Sequence, residues 1–123
     1  MVIDTGIIIE HIRSKNKLKT TLYNLPVDAE LFITSVSLYE LHMGATSPEK
    51  ENIVNTITED LSVLPFNDLA SLEAAKIYHR LRLSNKMIEF RDIFIAATCL
   101  VNDLPLVTLN KKHFKRIEEL KIF

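Results

Sequence analysis

The sequence predicts an α/β fold, a three-layer α/β/α arrangement around a central parallel sheet of four to five strands. Two observations carry that expectation. Short, largely apolar runs that suit strands recur along the chain: "VI" near the start, the β-branched and aromatic "LFITSV" (31–36), "LSVLPF" (61–66) and "PLVTL" (105–109). Between them lie longer stretches whose apolar residues return every three or four positions, the period of a helix with one buried face. Strands that alternate with helices are joined by crossovers, which makes them parallel and covers both faces of the sheet. With 123 residues, the chain is read as one domain spanning 1–123, long enough to bury a continuous core.

The elements follow in order. "MVID" is a strand closed by an acid, "TG" a turn, and "IIIEHI" the first helix. "LFITSV" suits a pleated, half-buried surface, and "SLYELHMGA" continues as a helix ending near Gly44. Pro48 has the fixed φ favoured at a first helical position, and Ile53, Val54, Ile57 and Leu61 supply the stripe behind it. Pro65 cannot donate to a ladder, so it marks the end of the third strand. Ala70, Ala74, Ile77, Tyr78 and Leu81 share a face of the next helix. An apolar helix then opens at Asp92, "PLVTL" is the fourth strand, a short helix lies near 111–119, and "KIF" is a possible fifth strand.

Composition narrows the function. Gly6 and Gly44 are the only glycines, so neither a GxGxxG fingerprint nor a P-loop can be built. The four histidines are scattered without zinc-like pairing. Cys99 is alone, which rules out an internal disulfide and fits a reducing cytoplasm; its apolar surroundings suit a buried, inert thiol. No apolar run is long enough for a bilayer, and no signal peptide is expected. The net charge of −1 does not draw a polyanion to the whole molecule, so nucleic acid would have to meet local patches. Two exist, "RSKNKLK" (13–19) and "KKHFKRIEELK" (111–121).

In open parallel sheets, ligands bind at the carboxyl ends of the strands. Asp4 ends the first strand, Glu40 lies in the helix after the second, and Asp92 opens the helix before the fourth. Each has a structural explanation. Asp92 and Asp4 suit helix N-caps, and Glu40 completes a Ser-x-x-Glu capping box with Ser37. Together, three acids at one sheet edge crowd negative charge and call for a cation. Hard oxygen ligands suit Mg²⁺ or Mn²⁺, which retain waters and bind phosphates.

The order "VIDTG", "ITSVSLYELHMG", "LPFNDLASLEAAKIYHRL" and "RDIFIAATCLVNDLPLVTLNKKHFKRI" resembles the PIN-domain family, specifically VapC-type toxin ribonucleases, over nearly the whole chain. The resemblance implies metal-dependent cleavage of RNA phosphodiester bonds, pairing with a VapB-type antitoxin, and a homodimer. Position by position, it implies that Asp4, Glu40 and Asp92 bind Mg²⁺ or Mn²⁺ and position the attacking water. Two residues depart from the family pattern. Gly6 stands where Asn is frequent, and Asn110 stands where a fourth acid is common; Asn110 can hold a water but brings no charge. Lys111, Lys112 and Lys115 follow directly and become candidate RNA contacts. The helices near the N-terminus and "EKENIVNTITEDL" are candidates for an antitoxin groove, although their stripes also serve the core.

Two other readings compete. One is a catalytically weak PIN-like module that binds RNA or protein. The other is a receiver-like domain phosphorylated at Asp68, with Thr108 and Lys111 nearby. The latter lacks the acid pair expected after the first strand.

Overall fold

A computed structural model describes all residues, 1–123. Four parallel strands, β1 (Val2–Ile3), β2 (Phe32–Thr34), β3 (Ser62–Leu64) and β4 (Leu106–Val107), form one sheet in the order β3-β2-β1-β4. Val2 pairs with both Phe32 and Leu106, so β1 lies inside the sheet between segments from the middle and the end of the chain. "KIF" adds only a single parallel bridge, Leu106 to Ile122. The helices are α1 (Thr5–Arg13), α2 (Ser35–Gly44), α3 (Pro48–Thr58), α4 (Asp68–Leu83), α5 (Phe90–Val101) and α6 (Lys111–Phe114), with a 3₁₀ turn at Lys17–Lys19.

Successive strand residues point to opposite faces, and two cores result. Val2 and Leu106 pack with Ala74, Ile77 and Leu81 of α4, Ile93 and Ala97 of α5, and Phe114. Ile3, Ile33 and Val107 pack on the other side with Ile7 and Ile8 of α1, Leu41 of α2 and Val54 of α3. The predicted helix–sheet–helix layering is therefore present. Cys99 is fully buried on α5, and burial pushes its thiol up to about 12, so it is inert as expected. No helix is long and apolar enough to cross a membrane.

Several boundaries differ from the sequence reading. β2 stops at Thr34 because the Thr34 hydroxyl accepts from the Ser37 amide at 3.1 Å and caps α2. Ser35 and Val36 are consequently helical, and the proposed Ser37–Glu40 capping box does not form. Ser37 lies inside the first turn with its own hydroxyl buried and unpartnered. Asp92 is not a cap either: α5 begins at Phe90, placing Asp92 in its first turn, while Glu89 occupies the cap position without a capping bond. "TG" is not a turn, since α1 starts at Thr5, directly after Asp4. The strands are shorter than their apolar runs, Leu61 lies beyond α3, and the last helix is one turn rather than 111–119. A Cβ at Gly6 would meet open space, so nothing steric demands glycine there.

Candidate functional site

All four strands run the same way, so their carboxyl ends share one edge. β1 delivers Asp4 there and β4 delivers Thr108. The Asp4 amide bonds to the Val107 carbonyl at 3.0 Å, which locks the two strand ends together. Asp4 is buried, and both its oxygens have donors: Thr108 Oγ1 to Oδ2 at 2.7 Å, and the Thr5 amide to Oδ1 at 2.9 Å. Thr5 also reaches the second acid, its hydroxyl donating to Glu40 Oε1 at 2.9 Å. One threonine thus ties the start of α1 to the middle of α2.

The other oxygen of Glu40 faces α5. Arg91 Nη1 lies 3.1 Å from Glu40 Oε2, and Arg91 Nε lies 2.9 Å from Glu89 Oε2. Asp92, next in the chain, is partly buried. Its carboxyl is pushed up to about 6, first by burial and then by the charge of Asp4; Arg91 opposes this, while Glu89 and Glu40 add to it. Asp4 is also raised, chiefly by burial, with the Thr108 and Thr5 donors pulling it back and Glu40 pushing it further. Asp4, Glu40 and Asp92 therefore occupy one electrostatic neighbourhood, as their positions at the strand ends predicted.

They do not form a finished cage. No three histidine, cysteine, aspartate or glutamate side chains are gathered closely enough to hold one ion together. The donor chemistry nevertheless fits a hard cation. Asp92 is a partly buried acid with no hydrogen-bond donor on its carboxylate, beside a buried second acid. Mg²⁺ characteristically takes one or two carboxylates and keeps waters for the rest. Glu40 can join directly only by leaving Arg91, or otherwise through a water.

Asn110 reaches this neighbourhood indirectly. Its amide donates to Thr108 Oγ1 at 2.9 Å, and its side chain pairs with His113 Nδ1 at 3.0 Å. Lys111 lines a cleft that shares Thr108 with the site; Lys112 and Lys115 are exposed on and just after α6. Asp68 lies on the far side, after edge strand β3, whereas Thr108 and Lys111 follow the opposite edge strand β4. That separation removes the receiver-like arrangement. Thr5, Arg91 and Thr108 were not singled out as parts of a metal site. The available signal was adjacency: Thr5 follows Asp4, Arg91 precedes Asp92, and Thr108 ends an apolar strand.

A family model described as PIN domain matches residues 1–120. Ribonuclease VapC1 of Methanocaldococcus jannaschii is 30% identical, over 100% of this chain and 86% of its own length. Ribonuclease VapC10 of Mycobacterium tuberculosis is 31% identical, over 98% of this chain and 90% of its own. Among solved structures, VapBC-1 from nontypeable Haemophilus influenzae superposes with a TM-score of 0.85 at 27% identity, covering 99% of this chain and 95% of that one.

Proposed function

As the chain belongs to the PIN-domain family, we propose that it is a metal-dependent endoribonuclease that hydrolyses RNA phosphodiester bonds as the toxin of a VapBC-type pair. The observation that carries this reading is the pairing of buried, donor-held Asp4 with partly buried Asp92, an acid whose proton affinity its neighbours raise. Asp4 and Asp92, with Glu40 beside them, would hold Mg²⁺ or Mn²⁺. The chemistry such an ion would supply there is activation of a water and an offset to charge developing on the phosphoryl oxygens. Thr108 and Thr5 favour the ionised form of Asp4 against its burial and fix its direction. Arg91 screens the acids before the ion arrives. Asn110 contributes a hydrogen bond or a held water, and Lys111, Lys112 and Lys115 meet phosphates without reading sequence.

The partner is a VapB-type antitoxin. A groove of about 270 Å³ supports this: Ile9 and Ile12 of α1 face Ile53 and Val54 of α3 across it, and Glu40 closes it. An apolar segment lying there would meet Glu40 at the groove's edge. Tyr39 and Met43, both over half exposed, line a shallow cleft with Phe94 and Arg91, a surface that suits a second copy in a homodimer. The expected location is the cytoplasm, where the RNA is.

The test is cleavage of single-stranded and structured RNA with Mg²⁺, Mn²⁺ or EDTA, beside Asp92→Asn. Cutting that needs the metal and disappears in the variant establishes the nuclease. The Arg91–Glu40 pair and uncharged Asn110 favour a second reading, a catalytically weak binding module. RNA binding without metal-dependent cutting would establish that one instead.

A further inference from the structure

One lysine from each basic stretch of the sequence, Lys19 and Lys111, lines the same cleft of about 560 Å³. Lys19 comes from the segment after α1, and Lys111 from the start of α6. Both are exposed and neither forms an ion pair. Other lysines nearby are already engaged. Lys17 donates to the carbonyls of His11 and Ile12, closing the end of α1, and Lys121 lies 3.7 Å from Asp103. Two cations without counterions on one concave surface create a site for an anion.

The same cleft has an apolar floor that the core does not use. Leu109 and Phe123 line it with more than half their surface exposed, and the Phe123 amide is anchored to the Leu106 carbonyl at 2.9 Å. An exposed aromatic ring on an anchored backbone, beside free cations, is the combination on which single-stranded nucleic acids stack. Asn24, on the opposite wall, donates both side-chain N–H bonds to the Leu18 and Thr20 carbonyls, at 2.9 and 2.8 Å, which leaves its amide oxygen as a spare acceptor. The cleft adjoins the acids through one residue, because Thr108 lines it and donates to Asp4.

We propose that this cleft holds the nucleotide flanking the scissile phosphate of a single-stranded RNA. Lys19 and Lys111 take its phosphates, and Phe123 with Leu109 supports its base. The assignment rests on the ribonuclease reading and adds the path of the substrate: the strand leaves the acids past Thr108 toward the segment after α1. It also draws into substrate binding a lysine, Lys19, that lies in a stretch remote in sequence from every acid.

The experiment is anisotropy of a labelled single-stranded RNA oligonucleotide in EDTA, where no cutting occurs, across a range of salt. The proteins are wild type, Lys19→Met/Lys111→Met, Phe123→Ala and, as a control on α4 away from the cleft, Lys76→Met. Each phosphate contact on a single strand contributes about 0.7 to the slope of log K against log salt, so the double variant should lose about 1.4. Loss of one stacked base should cost Phe123→Ala about fivefold or more in affinity, with the slope unchanged. Lys76→Met should match wild type. A double variant with wild-type slope overturns the proposal, as does a wild type that ignores RNA and binds an acidic peptide there. Metal-dependent cutting by a double variant with unaltered KM sinks the cleft and leaves the nuclease standing. RNA binding lost as expected in the variants, with no cutting by any protein, does the reverse.

Discussion

Asp4 and Asp92 stand at the same edge of the sheet, and the fold treats them in opposite ways. Asp4 ends a central strand, is buried, and has a donor on each oxygen. Asp92 sits in the first turn of α5, where burial and the charge of Asp4 raise it to about 6 and only Arg91 opposes them. The first acid has a hydrogen-bond donor on each oxygen; the second has none and is opposed only by a neighbouring cation. One is thus fixed in direction, and the other carries a charge whose cost a bound cation would offset.

The largest effect should come from Asp92→Asn, which removes the uncompensated acid while keeping its shape. Metal-dependent RNA cleavage should fall by about a hundredfold or more, the scale of losing one group that stabilises developing charge. An unchanged rate would make Asp92 a bystander and dissolve the comparison. Next comes Thr108→Val, which takes a donor from Asp4 without changing size. Leaving a buried acceptor short should cost about 1–3 kcal/mol in urea unfolding. Asp4 would then resemble Asp92, and added Mg²⁺ should restore more stability to this variant than to wild type.

The pH dependence follows from the same contrast. Because Asp92 holds its proton more tightly folded than unfolded, its ionisation costs stability. That cost is absent well below pH 3.8, grows as pH rises toward about 6, and is constant above. The metal-free protein should lose about 1–2 kcal/mol over that window from this group, less than the full shift because Asp92 is partly open to water. Asp92→Asn should lack that portion of the profile in thermal melts. The smallest effect belongs to Arg91→Met. Freeing Glu40 from a half-exposed ion pair should tighten Mn²⁺ binding by about fivefold or less, read by the loss of the free-ion EPR signal. Weaker binding would mean that Arg91 assists the ion rather than competing with it.

Much of this could be read in advance, for physical reasons. Alternating periods of two and 3.6 come from burial on strands and helices, so the layers and the placement of Asp4, Glu40 and Asp92 at one edge were legible. The helix starts were less so. "ITSV" has three β-branched residues in four, yet the Thr34 hydroxyl ends the strand by capping the Ser37 amide, a local bond that outweighs propensity. Arg91 and Glu89 look like loop charges until Glu40, on another helix, comes within reach. The role of Thr108 was out of sight because its partner, Asp4, lies 104 residues earlier. Contacts of that span leave no periodic trace.

That distance also matters during synthesis. A chain still on the ribosome can have exposed Asp4, Glu40 and Asp92 before β4 has emerged. Until it does, β1 lacks its second neighbour and Asp4 lacks the hydroxyl that holds it. Contacts between the two ends of a chain form late, because the long loop between them must close first. A copy that lacks β4 therefore carries all three acids while Asp4 is short of the donor that holds it, and the site is assembled only once β4 has joined β1.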